Sequence, residues 1–369
     1  KLILMEKNKV KQIHDFGQSI WLDFIDRQII KSGELQSLID EDGVRGVTSN
    51  PAIFEKAITS SDDYKEEIRE LLNHTDDMEV LFYQLAITDI RNAADLFRPV
   101  FDEESKGADG FVSLEVSPRL ALDTQATINQ ALKLWKEVDR DNVMIKIPST
   151  MEGLEAIRYC IQEGVNINVT LLFSLERYSA VAEAYISGIE ARVEKGLPVS
   201  HIASVASFFL SRIDVLIDPM LEEKGLKDLQ GEVAIASAKI AYQMYKEIFS
   251  GARWEKLRAA GAKPQRLLWA STSSKNPAFK ATKYVDALIG PNTVDTVPLE
   301  TIHIYRTEGN PSNSLEQGMD QAMQVLDKLK AAGIDLSEVT HRLEEEGIEK
   351  FINPYNKLIK AIEDQVKTV

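Results

Sequence analysis

Short apolar runs alternate with longer amphipathic stretches along this chain, an order that predicts repeated strand–helix units around a parallel sheet. Eight runs read as strands, at residues 19–23, 44–48, 111–116, 143–147, 165–170, 202–207, 266–271 and 294–298. Within several of them the polar residues share one phase. Asn166, Asn168 and Thr170 oppose Val165, Ile167 and Val169, while Ser113, Glu115 and Ser117 oppose Val112, Leu114 and Val116. Ser19, Trp21 and Asp23 likewise oppose Ile20 and Leu22. Successive strand side chains point to opposite faces, so one face meets apolar helices and the other carries polar groups. A sheet covered by helices on both sides would leave those groups without partners. A (β/α)₈ TIM barrel, whose inner faces converge on one axis, accommodates them. The expected layout is one domain over residues 1–369, with a barrel core at about 17–310 and a C-terminal helical extension at about 312–369 packed outside it. Residues 63–96 read as further helices between the second and third strands.

The 143–147 run is apolar except at Lys146. Burial disfavours an ammonium, so a lysine held there is expected to titrate low and keep some neutral amine, which is what Schiff-base chemistry requires. The structural alternative is a lysine paired with a carboxylate or reaching the strand's rim. Glu115, in the middle of another apolar strand, is the obvious partner, because a buried unpaired carboxylate is costly. Asp23 ends the first strand just before a helical run. It reads equally as a catalytic carboxylate or as one stabilised by the helix dipole. Asn168 and Thr170 either satisfy the barrel interior or orient a substrate hydroxyl and a water.

Local signals place the neighbouring elements. Ser149 and Glu152 fit a capping box opening a helix over 151–163, which Gly164 stops. Asn50-Pro51 and Asn276-Pro277 each put an N-cap residue before proline at the first helical position. Arg212 follows the sixth strand and Lys275 the seventh; with Ser271 to Ser274 they offer donors where barrels often bind phosphate.

Composition narrows the partners. With 43 Lys and Arg against 58 Asp and Glu, the net charge is -15, which argues against a nucleic-acid or anionic-membrane surface. Five histidines and one cysteine show no metal-ligand spacing, so no metal is expected. Cys160 lies on the apolar face of a predicted helix and reads as packing. No stretch is long enough for a membrane span, and the apolar residues 2–5 are too short for a secretory leader, with Met5 reading as a natural start. The expectation is a reducing, cytoplasmic location.

GVTSNPAIF at 46–54 and NVMIKIPSTMEGLEAI at 142–157 resemble the two signature segments of transaldolases. SLEVSPRLALDT around Glu115 and NINVTLLFS around Thr170 resemble two further family segments. The resemblance runs from Ser19 to about Pro298 in the same strand order, and the length is similar to that of a subgroup sometimes fused to a phosphoglucose isomerase. It implies a class I aldolase-type barrel, without a cofactor, in which Lys146 attacks the ketone of a ketose phosphate. Asp23 matches the family's acid/base for the C4 hydroxyl, and Glu115 with Thr170 matches the pair holding a catalytic water. Asn50 and Asn168, with Thr48 and Ser207 beside them, match groups around the dihydroxyacetone portion. Arg212 and Ser271 match phosphate contacts. Lys275 stands where compact members carry a second phosphate arginine, and a lysine is a point charge rather than a fork.

The implied reaction moves a dihydroxyacetone unit from fructose 6-phosphate to erythrose 4-phosphate in the pentose phosphate pathway, reversibly. Sugar phosphates are the implied partners, with the chain a monomer or homodimer. Related aldolases that release the three-carbon unit tend to carry Gln at the Glu115 position and Tyr at the Phe209 position, so Glu115 and Phe209 favour transfer. A catalytically silent sugar-phosphate-binding barrel is the other alternative. It would need none of Lys146, Asp23, Glu115 and Thr170 as a set.

Overall fold

The strands close on one another. In the computed structural model, which describes residues 8–369, eight parallel strands form a closed barrel in chain order. They are β1 Gln18–Asp23, β2 Gly46–Thr48, β3 Phe111–Glu115, β4 Val143–Pro148, β5 Ile167–Leu172, β6 Ser204–Phe209, β7 Arg266–Ala270 and β8 Thr293–Val297. β8 returns to β1, with Gln18 opposite Thr293 and Leu22 opposite Val297. The (β/α)₈ barrel expected from the pattern is present. The reading of residues 2–5 lies outside the described residues.

Three strands, β2, β5 and β6, start later than their apolar runs, and for β5 and β6 Asn166 supplies the reason. Its side chain donates to the carbonyls of Asp141 and Val143 and accepts from the amide of Ala203. It ties the lead-ins of β4, β5 and β6 together before the ladder begins. The lower end of the barrel is filled by Trp21 and Asp109. Asp109 accepts from Trp21 Nε1 at 2.8 Å, from Ser19 Oγ and from Arg45 Nε at 3.2 Å, and Arg266 lies 3.7 Å away. A carboxylate tolerates this depth because donors and cations surround it. Gly46 is required there, since a Cβ would come within 2.7 Å of the Trp21 ring.

Each surrounding helix buries one stripe. Met151–Gln162 turns Gly153, Ala156, Ile157, Cys160 and Ile161 inward, a spacing of three and four that matches the helical repeat. Its N-cap is Thr150, not Ser149: Thr150 accepts from Gly153 N, whereas Ser149 is still held by the barrel through its amide on Thr170 O. Ser149 Oγ donates to Leu171 O instead. Asn276 also departs from expectation. It accepts from Ala278 N in a turn and caps no helix, because the loop after β7 runs irregularly to the short helix Lys283–Ala287. The insertion between β2 and β3 carries Lys65–Leu71 and Met78–Leu96 as anticipated.

The C-terminal region holds two long helices, Met319–Ala331 and Leu336–Val366. The first packs outside, against Val233–Ile248. The second lies on helices Pro51–Ser60 and Ser211–Glu223 and on β5, over the upper barrel mouth, a placement the sequence left open. Its buried stripe includes Leu343, Gly347, Phe351, Tyr355, Leu358 and Ile362. Amphipathic spacing says that such a face is covered, not what covers it. Among the described residues no helix is long and apolar enough to cross a membrane.

Candidate active site

The upper strand ends surround a cavity of about 160 Å³. Asp23, Thr48, Asn50, Lys146, Thr170, Ser207, Phe209, Arg212, Ser271 and Lys275 all line it, drawn from six strands and the elements after them. Residues more than 250 positions apart in the chain therefore share one small space.

Lys146 comes from the inward phase of β4, and the register sets Glu115 and Asn168 on its two sides. Its Nζ donates to Ser49 O at 2.9 Å and lies 3.5 Å from Glu115 Oε2. Both the lysine and the glutamate are buried. Neither Glu115 oxygen has a hydrogen-bond partner. Burial is the main reason that the Glu115 pKa rises to about 7; Lys146 opposes the rise, Asp23 adds to it and Arg212 opposes it. The group therefore exchanges a proton near neutrality.

That shift has a stability consequence. A carboxyl whose folded pKa exceeds its unfolded value binds more protons when folded between the two pKa values, so stability falls as pH rises through that window. Glu115→Gln removes this penalty. Between pH 5.5 and 8 the wild type should lose about 2 kcal/mol relative to the variant, read as diverging urea midpoints. Parallel midpoints across this range would contradict the elevated pKa.

Asp23 ends β1. Thr48 Oγ1 donates to it at 2.8 Å, and Thr48 Oγ1 lies 2.6 Å from Thr296 Oγ1, so a relay with Thr296 donating to Thr48 is geometrically consistent. Burial raises the Asp23 pKa, while Lys146, the Thr48 hydroxyl and Lys275 lower it. Asn168 sits below the cavity, donating to Ser113 Oγ at 3.1 Å and accepting from Ser207 Oγ at 2.7 Å. Asn50 uses its carbonyl oxygen to cap Pro51–Ser60, accepting from Ile53 N, and so keeps its NH₂ for the cavity. Thr170 Oγ1 is buried without a partner. Just beyond it the β5–β6 register shifts and Leu171 takes a left-handed φ of 56°. A non-glycine residue in that region costs about 1–2 kcal/mol, a strain tolerated at this rim.

The cationic side is built on β6 and β7. Ser271, also left-handed at φ 55°, accepts Ser211 N on its carbonyl, and the two hydroxyls lie 2.8 Å apart. This fixes the start of Ser211–Glu223, where Arg212 projects with its Nη1 unpartnered. Burial lowers the Arg212 pKa, opposed by Glu115. Lys275 is exposed and donates to Ser273 Oγ at 3.0 Å. Such a site can add an amine to a carbonyl, move protons at two carboxyls and bind an anion at its rim.

The matching segments are not isolated. The sequence profile described as Transaldolase/Fructose-6-phosphate aldolase matches residues 20–362. The chain belongs to this family. It is an enzyme of the transaldolase type, and full-length relatives share its span. A protein named Transaldolase from Trichodesmium erythraeum is 48% identical, covering 98% of this chain and 99% of its own. Transaldolase 2 from Nostoc sp. is 46% identical over 98% and 99%, and Transaldolase from Saccharopolyspora erythraea is 46% identical over 97% and 98%.

Ala270, Thr296, Pro298 and Phe351 also line the cavity of this transaldolase-family barrel and escaped the sequence reading, Thr296 and Phe351 most instructively. Thr296 lies in β8 beside Asp295, so alternation there shows two adjacent polar residues and no readable phase. Asp295 faces away from the cavity residue Thr296; it is fully buried with both oxygens unpartnered, and burial pushes its pKa well up. Phe351 arrives from the C-terminal helix, more than 50 residues after β8, with no local signal beyond a buried stripe. Among the described residues no group of three or more His, Cys, Asp or Glu is arranged to hold a metal.

Proposed function

We propose that this enzyme transfers a dihydroxyacetone unit between sugar phosphates through a Schiff base on Lys146. Fructose 6-phosphate and erythrose 4-phosphate would give sedoheptulose 7-phosphate and glyceraldehyde 3-phosphate, reversibly, in the cytoplasmic pentose phosphate pathway. The observation that carries this reading is the buried Lys146 amine, 3.5 Å from a carboxyl that titrates near 7, in the same cavity as Asp23.

In this mechanism Nζ of Lys146 adds to the C2 carbonyl, with Glu115 as proton acceptor. Glu115 then returns a proton as the carbinolamine loses water, a shuttle suited to its pKa. Thr170 holds that water. Asp23 takes the C4 hydroxyl proton as the C3–C4 bond breaks, the electron pair passing into the iminium. The first aldehyde leaves and the enamine stays. An acceptor aldehyde then receives the new bond at C3, Asp23 protonates its alkoxide, and hydrolysis frees Lys146. Asn50, Asn168, Thr48 and Ser207 orient the three-carbon unit, while Arg212, Ser271 and Lys275 contact phosphate.

Transfer is favoured over simple release by Phe209. Its ring lines the cavity against Phe173, with centroids 5.3 Å apart, and carries no hydroxyl to protonate the enamine. The direct test is borohydride trapping with fructose 6-phosphate followed by peptide mass spectrometry. A three-carbon adduct on Lys146 that disappears when erythrose 4-phosphate is added is expected. An adduct unaffected by the acceptor would indicate an aldolase, and no adduct on folded protein would leave a silent sugar-phosphate-binding barrel.

A further inference from the structure

The Arg212 guanidinium is held between two rings from different parts of the fold. Its Cζ lies 5.3 Å from the Phe209 centroid on β6 and 5.8 Å from the Phe351 centroid on the C-terminal helix. Contact with ring faces attracts a cation without consuming its N–H donors. Arg212 lines the cavity and keeps Nη1 without a hydrogen-bond partner. Phe209 is fixed by its strand. Phe351 is in place only when the C-terminal helix is seated.

That helix is built unevenly around Phe351. Gly347, one turn earlier, permits close approach to β5: an added Cβ would lie 3.2 Å from Leu171 Cδ2 and 3.5 Å from Phe173. Glycine in a helix interior costs roughly 1 kcal/mol against alanine. Pro354 follows within the same helix and cannot donate to the carbonyl of residue 350. The turn carrying the ring is thus the weakest part of a long helix. Both flanks are anchored, by Arg177 on Glu344 at 2.8 Å and by Arg119 on Asn356 at 2.7 Å. Tyr355 is also buried between Phe82 and the Arg119 guanidinium.

We propose that Phe351 is a positioning residue for the phosphate end of the site, closing a ring clamp on Arg212 and thereby coupling seating of the C-terminal helix to capture of phosphorylated sugars. The inference rests on the transaldolase reading for its substrate class. It assigns to the helix a selective role: substrates with a terminal phosphate bind the clamped arginine, while unphosphorylated aldoses do not use it. Binding in turn holds the turn between Gly347 and Pro354 in its seated form, since any ligand preferring that form stabilises it.

The test compares acceptors. In Phe351→Leu, which keeps an apolar side chain but loses the ring, the kcat/KM preference for erythrose 4-phosphate over D-glyceraldehyde should fall about tenfold, mainly through KM. Phe351→Tyr, which retains a ring face, should restore the wild-type preference. Inorganic phosphate should slow hydrogen exchange across residues 346–356 in the wild type and not in Phe351→Leu. An unchanged preference in folded, active Phe351→Leu overturns the proposal, as does phosphate protection equal in the two proteins. Absence of transfer by the wild type would instead sink the functional reading, and the exchange comparison would still decide the clamp.

Discussion

Lys146→Ala is expected to leave a folded protein whose transfer rate has fallen by a factor on the order of 10⁴ or more, since in the proposed mechanism it removes the group that binds substrate covalently. The fold should survive for a reason visible at the site. Removing a partner from a buried ion pair is normally severe because a bare charge is left behind. Glu115, however, already has a pKa of about 7 with Lys146 beside it. Without the lysine it will stay protonated at neutral pH and carry no charge. The remaining losses are a hydrogen bond to Ser49 O and a small internal space, together about 1–3 kcal/mol. Steady-state rates and a thermal melt measured together check both halves. A cooperative melt with full activity would end the Schiff-base account.

Asp23→Asn should separate bond formation from bond breaking. Asparagine preserves the size of the side chain and the acceptor for the Thr48 hydroxyl, but it cannot take a proton from the C4 hydroxyl. Imine formation should persist, while turnover drops by roughly 10²–10⁴, the range for loss of a general base. Borohydride should then trap the whole six-carbon sugar on Lys146, where the wild type yields the three-carbon fragment. Aldehyde release at the wild-type rate in a single turnover would remove Asp23 from the cleavage step.

Much of this architecture could be read from alternation because inward and outward positions carry different chemistry. In β3 and β5 the polar phase is uniform, and the structure turns Ser113, Glu115 and Asn168 inward as that phase requires. Asp295 breaks the rule by being polar on the outer face, which hid Thr296. The difference between Ser149 and Thr150 as cap turns on one backbone hydrogen bond to Thr170, a tertiary fact with no local signature. The same holds for the lower end of the barrel. Asp109 sits between alanine and glycine in an ordinary loop sequence, and its partners Trp21, Arg45 and Arg266 are brought in by β1, the lead-in to β2 and β7. Phe351 is the extreme case. Its helix was legible as a helix, but the surface it covers is assembled from segments that precede it by well over a hundred residues.

Under the proposed transfer, the filled lower end of the barrel also constrains the order of events. With Trp21, Asp109 and the arginines filling it, molecules that enter at the mouth have no exit below. The aldehyde released first and the aldehyde that accepts next must use the same doorway in turn. On the proposed transfer mechanism, turnover is expected to be a ping-pong cycle in which each aldose competes with the other for the loaded enzyme.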